Sequence, residues 1–258
     1  PEFAAHSLEK MVLRGFDVVG VVTAMDKPAG RGQKISESAV KQKAKELGLR
    51  ILQPSNLKSE EFALELQSLK PDLGVVIAFR MLPESVWSFP KLGTINLHGS
   101  LLPQYRGAAP IHRAVMHGDD ETGVTIMRVV RELDAGPTFA VATRTIGPDE
   151  TSDAVEEALA TLGATLLLRT MDDIEGGTAV ETPQDDARAT YAARIVREDG
   201  LITWSRDARA IHNQVRGLYP WPHAYTFLDG QRVIIRRTVP ADGLEAQAEP
   251  GTIVAVSR

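Results

Sequence analysis

Residues 73–98 read LGVVIAFRMLPESVWSFPKLGTINLH. The two ends of this stretch, LGVVIAF at 73–79 and GTINLH at 93–98, are short apolar runs. Runs of this length and composition read as buried strands. On the N-terminal side, FDVVGVVT at 16–23 is a third such run, with an amphipathic helix before it at 2–14. A Pro/Gly/basic loop follows at 26–34 (DKPAGRGQK), then a helix at 38–47, a short strand at 50–53 and a helix at 59–69. On the C-terminal side come a helix at 108–117 and two strands of a more alternating kind, at 123–130 and 138–146. A long helix at 151–174 follows, with Ser152 or Asp153 as its candidate cap. Strands alternating with helices predict an α/β domain with a mostly parallel sheet. In such sheets ligands bind at the carboxyl ends of the strands, here the loops after Phe79 and His98.

The pattern changes after residue 176. Residues 176–200 are polar and weakly patterned and read as a linker. Beyond them a short helix at 207–216 precedes strands at 224–228, 232–239 and 252–256, and Asp229-Gly230 is a hairpin turn signal. This predicts a small β-rich second unit.

The composition, 43% hydrophobic and 24% charged over 258 residues, permits a proper core. There is no cysteine, which excludes disulfides, thiolate metal sites and cysteine nucleophiles. No apolar run approaches the roughly 18 residues of a membrane span, and the first residues lack the basic start and apolar core of a secretion signal. A cytoplasmic protein, in a bacterium or an organellar matrix, is expected. The chain carries a net charge of -5, yet residues 187–240 hold nine Arg and no Lys against four acids. Such a local excess suits a polyanion and equally a solvated face.

The chemistry-bearing stretch is 96–137, NLHGSLLPQYRGAAPIHRAVMHGDDETGVTIMRVVRELDAGP. Asn96 and His98 are two apart on a strand and so share a face at its C-terminal end. An Asn amide can donate to an oxygen that gains charge, and a His beside it can carry a proton near neutral pH. Asp134, followed by Gly136 and Pro137, could orient that His; spacing alone does not bring it there. Gly99, Pro103 and Gly107 give a loop whose backbone can approach a flat ligand. Gly30-Arg31-Gly32 lacks the third glycine of a dinucleotide fingerprint. His112 and His117 are five apart on a predicted helix and would not share a metal; no metal is expected. His212 and Arg216 share one helical face that reads as surface, and Trp204 and Trp221 read as core aromatics.

Asn96-Leu97-His98, Ser100 to Pro103, Arg106 to Pro110, Asp119 to Thr125 and Leu133 to Gly136, in that order and spacing, resemble the signature of the folate-dependent formyltransferases. The resemblance covers essentially the whole chain. It implies a Rossmann-like catalytic domain over 1–176, a linker over 177–200 and an OB-like β-barrel domain over 201–258. It carries a catalytic role onto Asn96, His98 and Asp134. It places Ser100, Leu101, Leu102 and Pro103 along one wall of a folate site and Ile77, Ala78 and Phe79 along the other, with 10-formyltetrahydrofolate as formyl donor. Arg80 departs from the small residue usual there. Relatives acting on small amines share the trio. The loop at 26–34 resembles an insertion used against a tRNA acceptor stem, and with the C-terminal arginines it implies initiator methionyl-tRNA as acceptor. Arg31, Lys34, Arg206 and Arg216 are then the tRNA contacts, and a monomer is expected. Relatives begin with a central strand ending in a Gly-Thr turn that would fall before Pro1. The sequence is therefore expected to start late and its barrel to stop partway. A chain complete as written is expected to be poorly folded or inactive.

Overall fold

The computed structural model describes residues 2–29, 34–241 and 248–255. The first part runs α1 (Glu2–Arg14), β1 (Val21–Val22), β2 (Lys27–Ala29), β3 (Lys34–Ser36), α2 (Ala39–Glu46), β4 (Ile51–Leu52) and α3 (Glu60–Ser68). Ser38 and Ser59 start α2 and α3 by accepting from the Lys41 and Phe62 N–H groups, donors that a helix start otherwise leaves unpaired. β1 pairs in parallel with β4, so only two residues of the apolar run at 16–23 are ladder residues. The stretch expected to be a plain loop carries an antiparallel hairpin, β2 against β3, with Lys27 opposite Ser36. Arg31 lies outside the described residues, and Lys34 is the first residue of β3.

Next come β5 (Gly74–Ile77), α4 (Glu84–Trp87), β6 (Thr94–His98), β7 (Arg106–Gly107), α5 (Pro110–His117), β8 (Glu121–Arg128), β9 (Thr138–Thr145) and α6 (Ser152–Glu175). Four of these strands form one sheet in the order β5-β6-β8-β9. β5 and β6 are parallel, whereas β8 is antiparallel to both β6 and β9. The mostly parallel sheet expected from the sequence is therefore mixed. β9 alternates half-buried and exposed residues along its second half, and a strand with one wet face suits its antiparallel pairing with β8.

The core lies between this sheet and α6. Val155, Leu159 and Leu167 of α6 and Ile95, Val124 and Ile126 of the sheet are fully buried in one cluster. Gly163 lets the helix approach: a Cβ there would stand 3.0 Å from the Leu97 methyls. The N-cap of α6 is Thr151 rather than Ser152 or Asp153. Ser152 is turned inward instead, its hydroxyl donating to the Gly217 carbonyl at 2.7 Å.

The last part holds β10 (Tyr191–Ala192), α7 (Ala208–Gly217), β11 (Ala224–Leu228) and β12 (Gln231–Ile235). β11 and β12 form the expected hairpin, with Asp229 and Gly230 at φ 48° and 76°, the left-handed pair that a two-residue turn of matching twist needs. Ile235 packs with Ile202, Ile211, Val215 and Ala224, which joins the hairpin to α7. Residues 252–255 form no strand, and no closed barrel is present among the described residues. Trp204 and Trp221 are 36% and 52% exposed, so neither is a core aromatic. Trp221 stands between two prolines in the turn after α7, and the Trp204 indole donates to the Thr226 hydroxyl at the surface.

Candidate active site

β6 pairs on both sides, and this fixes the backbone under Asn96 and His98. Asn96 is opposite Val76 of β5 and Met127 of β8, and His98 is opposite Thr125. A group that must be held to a fraction of an ångström belongs on such a strand rather than on a loop. Thr125 also pins the loop that follows. Its hydroxyl donates to the Ser100 carbonyl at 2.7 Å and accepts from the Leu102 N–H at 3.1 Å. Ser100 is buried, its own hydroxyl donating to the Gln104 carbonyl at 2.6 Å. It therefore shapes the loop from inside, where Leu101 and Leu102 are half-buried.

The fold brings Asp134 to His98. The Asp134 carboxylate accepts from the Gly107 N–H at 2.8 Å, and its Oδ2 stands 3.7 Å from His98 Nδ1. Both side chains are largely buried, at 12% and 6% exposure. On its other edge the imidazole meets the Tyr105 carbonyl, 2.9 Å from Nε2. A carbonyl only accepts, so Nε2 carries the hydrogen and neutral His98 keeps its lone pair on Nδ1, facing Asp134.

The segment read as a linker stitches these loops together. Tyr191 and Ala192 pair in parallel with Arg106 and Gly107. A Cβ on Gly107, whose φ is 119°, would stand 2.8 Å from the Ala192 carbonyl, so this pairing requires glycine there. The Gln184 amide donates to the Asp134 and Gly136 carbonyls at 2.9 and 2.7 Å and accepts from Arg106. Asp134 itself sits at φ 49°, a conformation a non-glycine residue keeps only when its surroundings impose it. Replacing Gln184 with Ala removes that clasp. It is expected to lower kcat by up to about 10²-fold, the cost of about an ångström of misplacement, and to cost about 1–2 kcal/mol of stability; steady-state kinetics beside a thermal melt check both. Nothing in the local pattern marks Gln184 or the Tyr105 carbonyl as part of the site.

Ile77 ends β5, and with Ala78 and Phe79, which follow the strand, it lines a cavity of about 850 Å³ that residues of β1 also line. Arg80 lies on the same lining, its guanidinium donating to the Pro54 carbonyl. Asn96, His98 and Asp134 are not on that lining. Ala78 has φ 46°, one step past the last register pair, Ile77 with Leu97, so the β5 ladder stops at Ile77.

Of the four expected tRNA contacts, Arg206 is exposed. Arg216 is not available. It is 6% exposed, and its guanidinium donates to Asn213 Oδ1 and to the Gly147 and Glu150 carbonyls. His212 is buried beside it, its ring nitrogens against the Thr238 and Pro148 carbonyls. The face of α7 read as surface is an interior face, packed on the turn before α6.

Residues 2–171 match the formyl transferase family, and residues 194–258 match the formyl transferase C-terminal domain. Methionyl-tRNA formyltransferase of Nitratidesulfovibrio vulgaris is 49% identical, over 98% of this chain and 79% of that protein. The enzyme of the same name from Citrifermentans bemidjiense is 45% identical, over 100% and 80%. The chain belongs to the methionyl-tRNA formyltransferase family. The fold extends past that family. The sugar 3N-formyl transferase WlaRD superposes with a TM-score of 0.70 at 17% identity, over 93% of this chain and 83% of that one. HypX from Aquifex aeolicus in complex with tetrahydrofolic acid superposes with a TM-score of 0.64 at 22% identity, over 82% and 37%. Among the described residues no helix is long and apolar enough to cross a membrane.

Proposed function

We propose that this protein transfers the formyl group of 10-formyltetrahydrofolate to the amino group of initiator methionyl-tRNA, and that Asn96, His98 and Asp134 carry the transfer. The observation behind the residue roles is the convergence of His98 and Asp134 at the end of the strand that holds Asn96. The co-substrate supplies a formyl group on a nitrogen that leaves once protonated. The Asn96 amide donates to the formyl oxygen as it gains charge. His98 Nδ1 and Asp134 Oδ2 are both acceptors and stand 3.7 Å apart, so together they receive the N–H groups of the attacking amine and orient its lone pair. His98 Nδ1 then takes one proton from that nitrogen and returns it to the leaving folate nitrogen as the carbon–nitrogen bond breaks. The transient imidazolium donates from Nε2 to the Tyr105 carbonyl and from Nδ1 toward the Asp134 carboxylate.

The residues fit a flat pterin-like group. The backbone at the end of β5, together with Leu101, Leu102 and Pro103, offers polar groups flanked by apolar side chains. Residues 1–176 form the catalytic unit in this reading. Residues 201–258 form a tRNA-facing unit related to an OB barrel, with Arg31, Lys34 and Arg206 as phosphate contacts and the chain acting as a monomer in the cytoplasm. The arginine excess over 187–240 supports the polyanion. The test is formyl transfer to charged initiator tRNA, with uncharged tRNA as control. Transfer that requires the charged tRNA is the expected result; release of free formate, or transfer to a small amine instead, sinks the proposed acceptor.

A further inference from the structure

His98 lies between two acceptors that ask for opposite tautomers. The Asp134 carboxylate at 3.7 Å favours a hydrogen on Nδ1, and the Tyr105 carbonyl at 2.9 Å favours one on Nε2. Which nitrogen is left as the base depends on where that carbonyl points. Tyr105 aims it from φ 59°, in the left-handed region, where a residue bearing a Cβ stays only when its neighbours hold it. The holding contacts are specific. The Tyr105 N–H donates to the Thr190 hydroxyl at 2.9 Å, and the next N–H, of Arg106, donates to the Thr190 carbonyl. At the far end of the side chain the phenol donates to Asp119 Oδ2 at 2.7 Å and lies 3.0 Å from His117 Nδ1, and the Tyr105 and His117 rings are 5.7 Å apart. Burial, reinforced by the Asp119 carboxylate, holds the phenol above its ordinary titration range, so it stays a donor.

We infer that Tyr105 is a positioning residue for formyl transfer: its phenol, anchored on Asp119 and His117, locks the backbone carbonyl that fixes His98 as the Nε2–H tautomer and makes Nδ1 the working base. The inference rests on the proposed role of His98 as proton carrier. Losing the anchor leaves the Tyr105 peptide held by its Thr190 bonds alone, and as its carbonyl drifts from Nε2 the Asp134 carboxylate draws the hydrogen to Nδ1, which removes the base from the side facing the amine.

The test combines kinetics with nitrogen NMR of histidine-labelled protein, which distinguishes a protonated from an unprotonated ring nitrogen. Tyr105→Phe keeps the ring and deletes the anchor. It is expected to lower kcat by up to about 10²-fold, the cost of about an ångström of misplacement at a reacting group, with both KM values nearly unchanged and His98 signal moving from the Nε2–H to the Nδ1–H pattern. Asp119→Asn keeps an acceptor for the phenol and is expected to behave as the parent protein, whereas Asp119→Ala follows Tyr105→Phe. The Asp119 pair carries the test should Tyr105→Phe fail to fold. A purely structural role predicts lower melting temperatures with the His98 pattern and kcat intact, and that result overturns the inference. A changed His98 pattern with unchanged kcat overturns the positioning role and points at the proton-carrier reading, which His98→Ala then tests separately.

Discussion

Replacing His98 with Ala is expected to lower kcat for formyl transfer by about 10²- to 10⁴-fold, the range that a positioned proton carrier supplies. The KM of the folate changes little, because one wall of its proposed site, 77–79, lies on β5 and its flank, and the other, 100–103, is held by Thr125 rather than by the imidazole. The loss falls on kcat and kcat/KM together, as for an interaction made only in the transition state. The same change leaves the Tyr105 carbonyl unpaired and empties a buried ring site, so a loss of about 1–3 kcal/mol of stability accompanies it. A melt of the variant, run with the kinetics, shows whether the rate belongs to folded protein. Folate binding retained with the rate nearly gone is the expected pair of results. An unchanged rate takes His98 out of the mechanism and leaves Asn96 and the geometry of approach as the sources of acceleration.

Asn96 and His98 were legible because strand periodicity is local: an apolar run ending in N-x-H places both side chains on one face at the strand's end. Asp134 was not legible from spacing, because its approach to His98 depends on the β6–β8 pairing and on the Gly107 N–H, both long-range features. Residues 176–200 look like a linker by composition, yet Gln184, Thr190 and Ala192 fasten the two loops of the site. Polar side chains that bond to distant backbone leave no periodic trace. The run at 16–23 shows the opposite failure: apolar composition alone suggests a full strand, while only Val21 and Val22 find a ladder partner. The alternation in β9 carried information that the general expectation of a parallel sheet overrode.

Arg216 is where reading charge without burial led furthest from the structure, and substituting it with Ala separates the two views. On a surface face, its loss weakens tRNA binding and leaves the melt within about 0.5 kcal/mol of the parent. In the structure the guanidinium ties Asn213 of α7 to the Gly147 and Glu150 carbonyls ahead of α6. Ser152 reaches back from α6 to the Gly217 carbonyl across the same seam. Burial lowers the pKa of Arg216 from its ordinary value, with Arg209 adding to the effect, but an arginine starts so high that it remains charged at neutral pH. Alanine leaves buried carbonyl oxygens without donors, and the expected loss is about 2–4 kcal/mol, or roughly 4–16 °C of melting temperature for a chain of this size. Below the melt, the KM for charged tRNA is expected to match the parent within about twofold. Arg206→Ala supplies the contrast: its side chain is exposed, so it is expected to leave the melt alone and to reduce the salt dependence of tRNA binding by about one unit of slope. A raised tRNA KM in Arg216→Ala with an unshifted melt reverses the assignment and returns this face of α7 to the nucleic-acid surface.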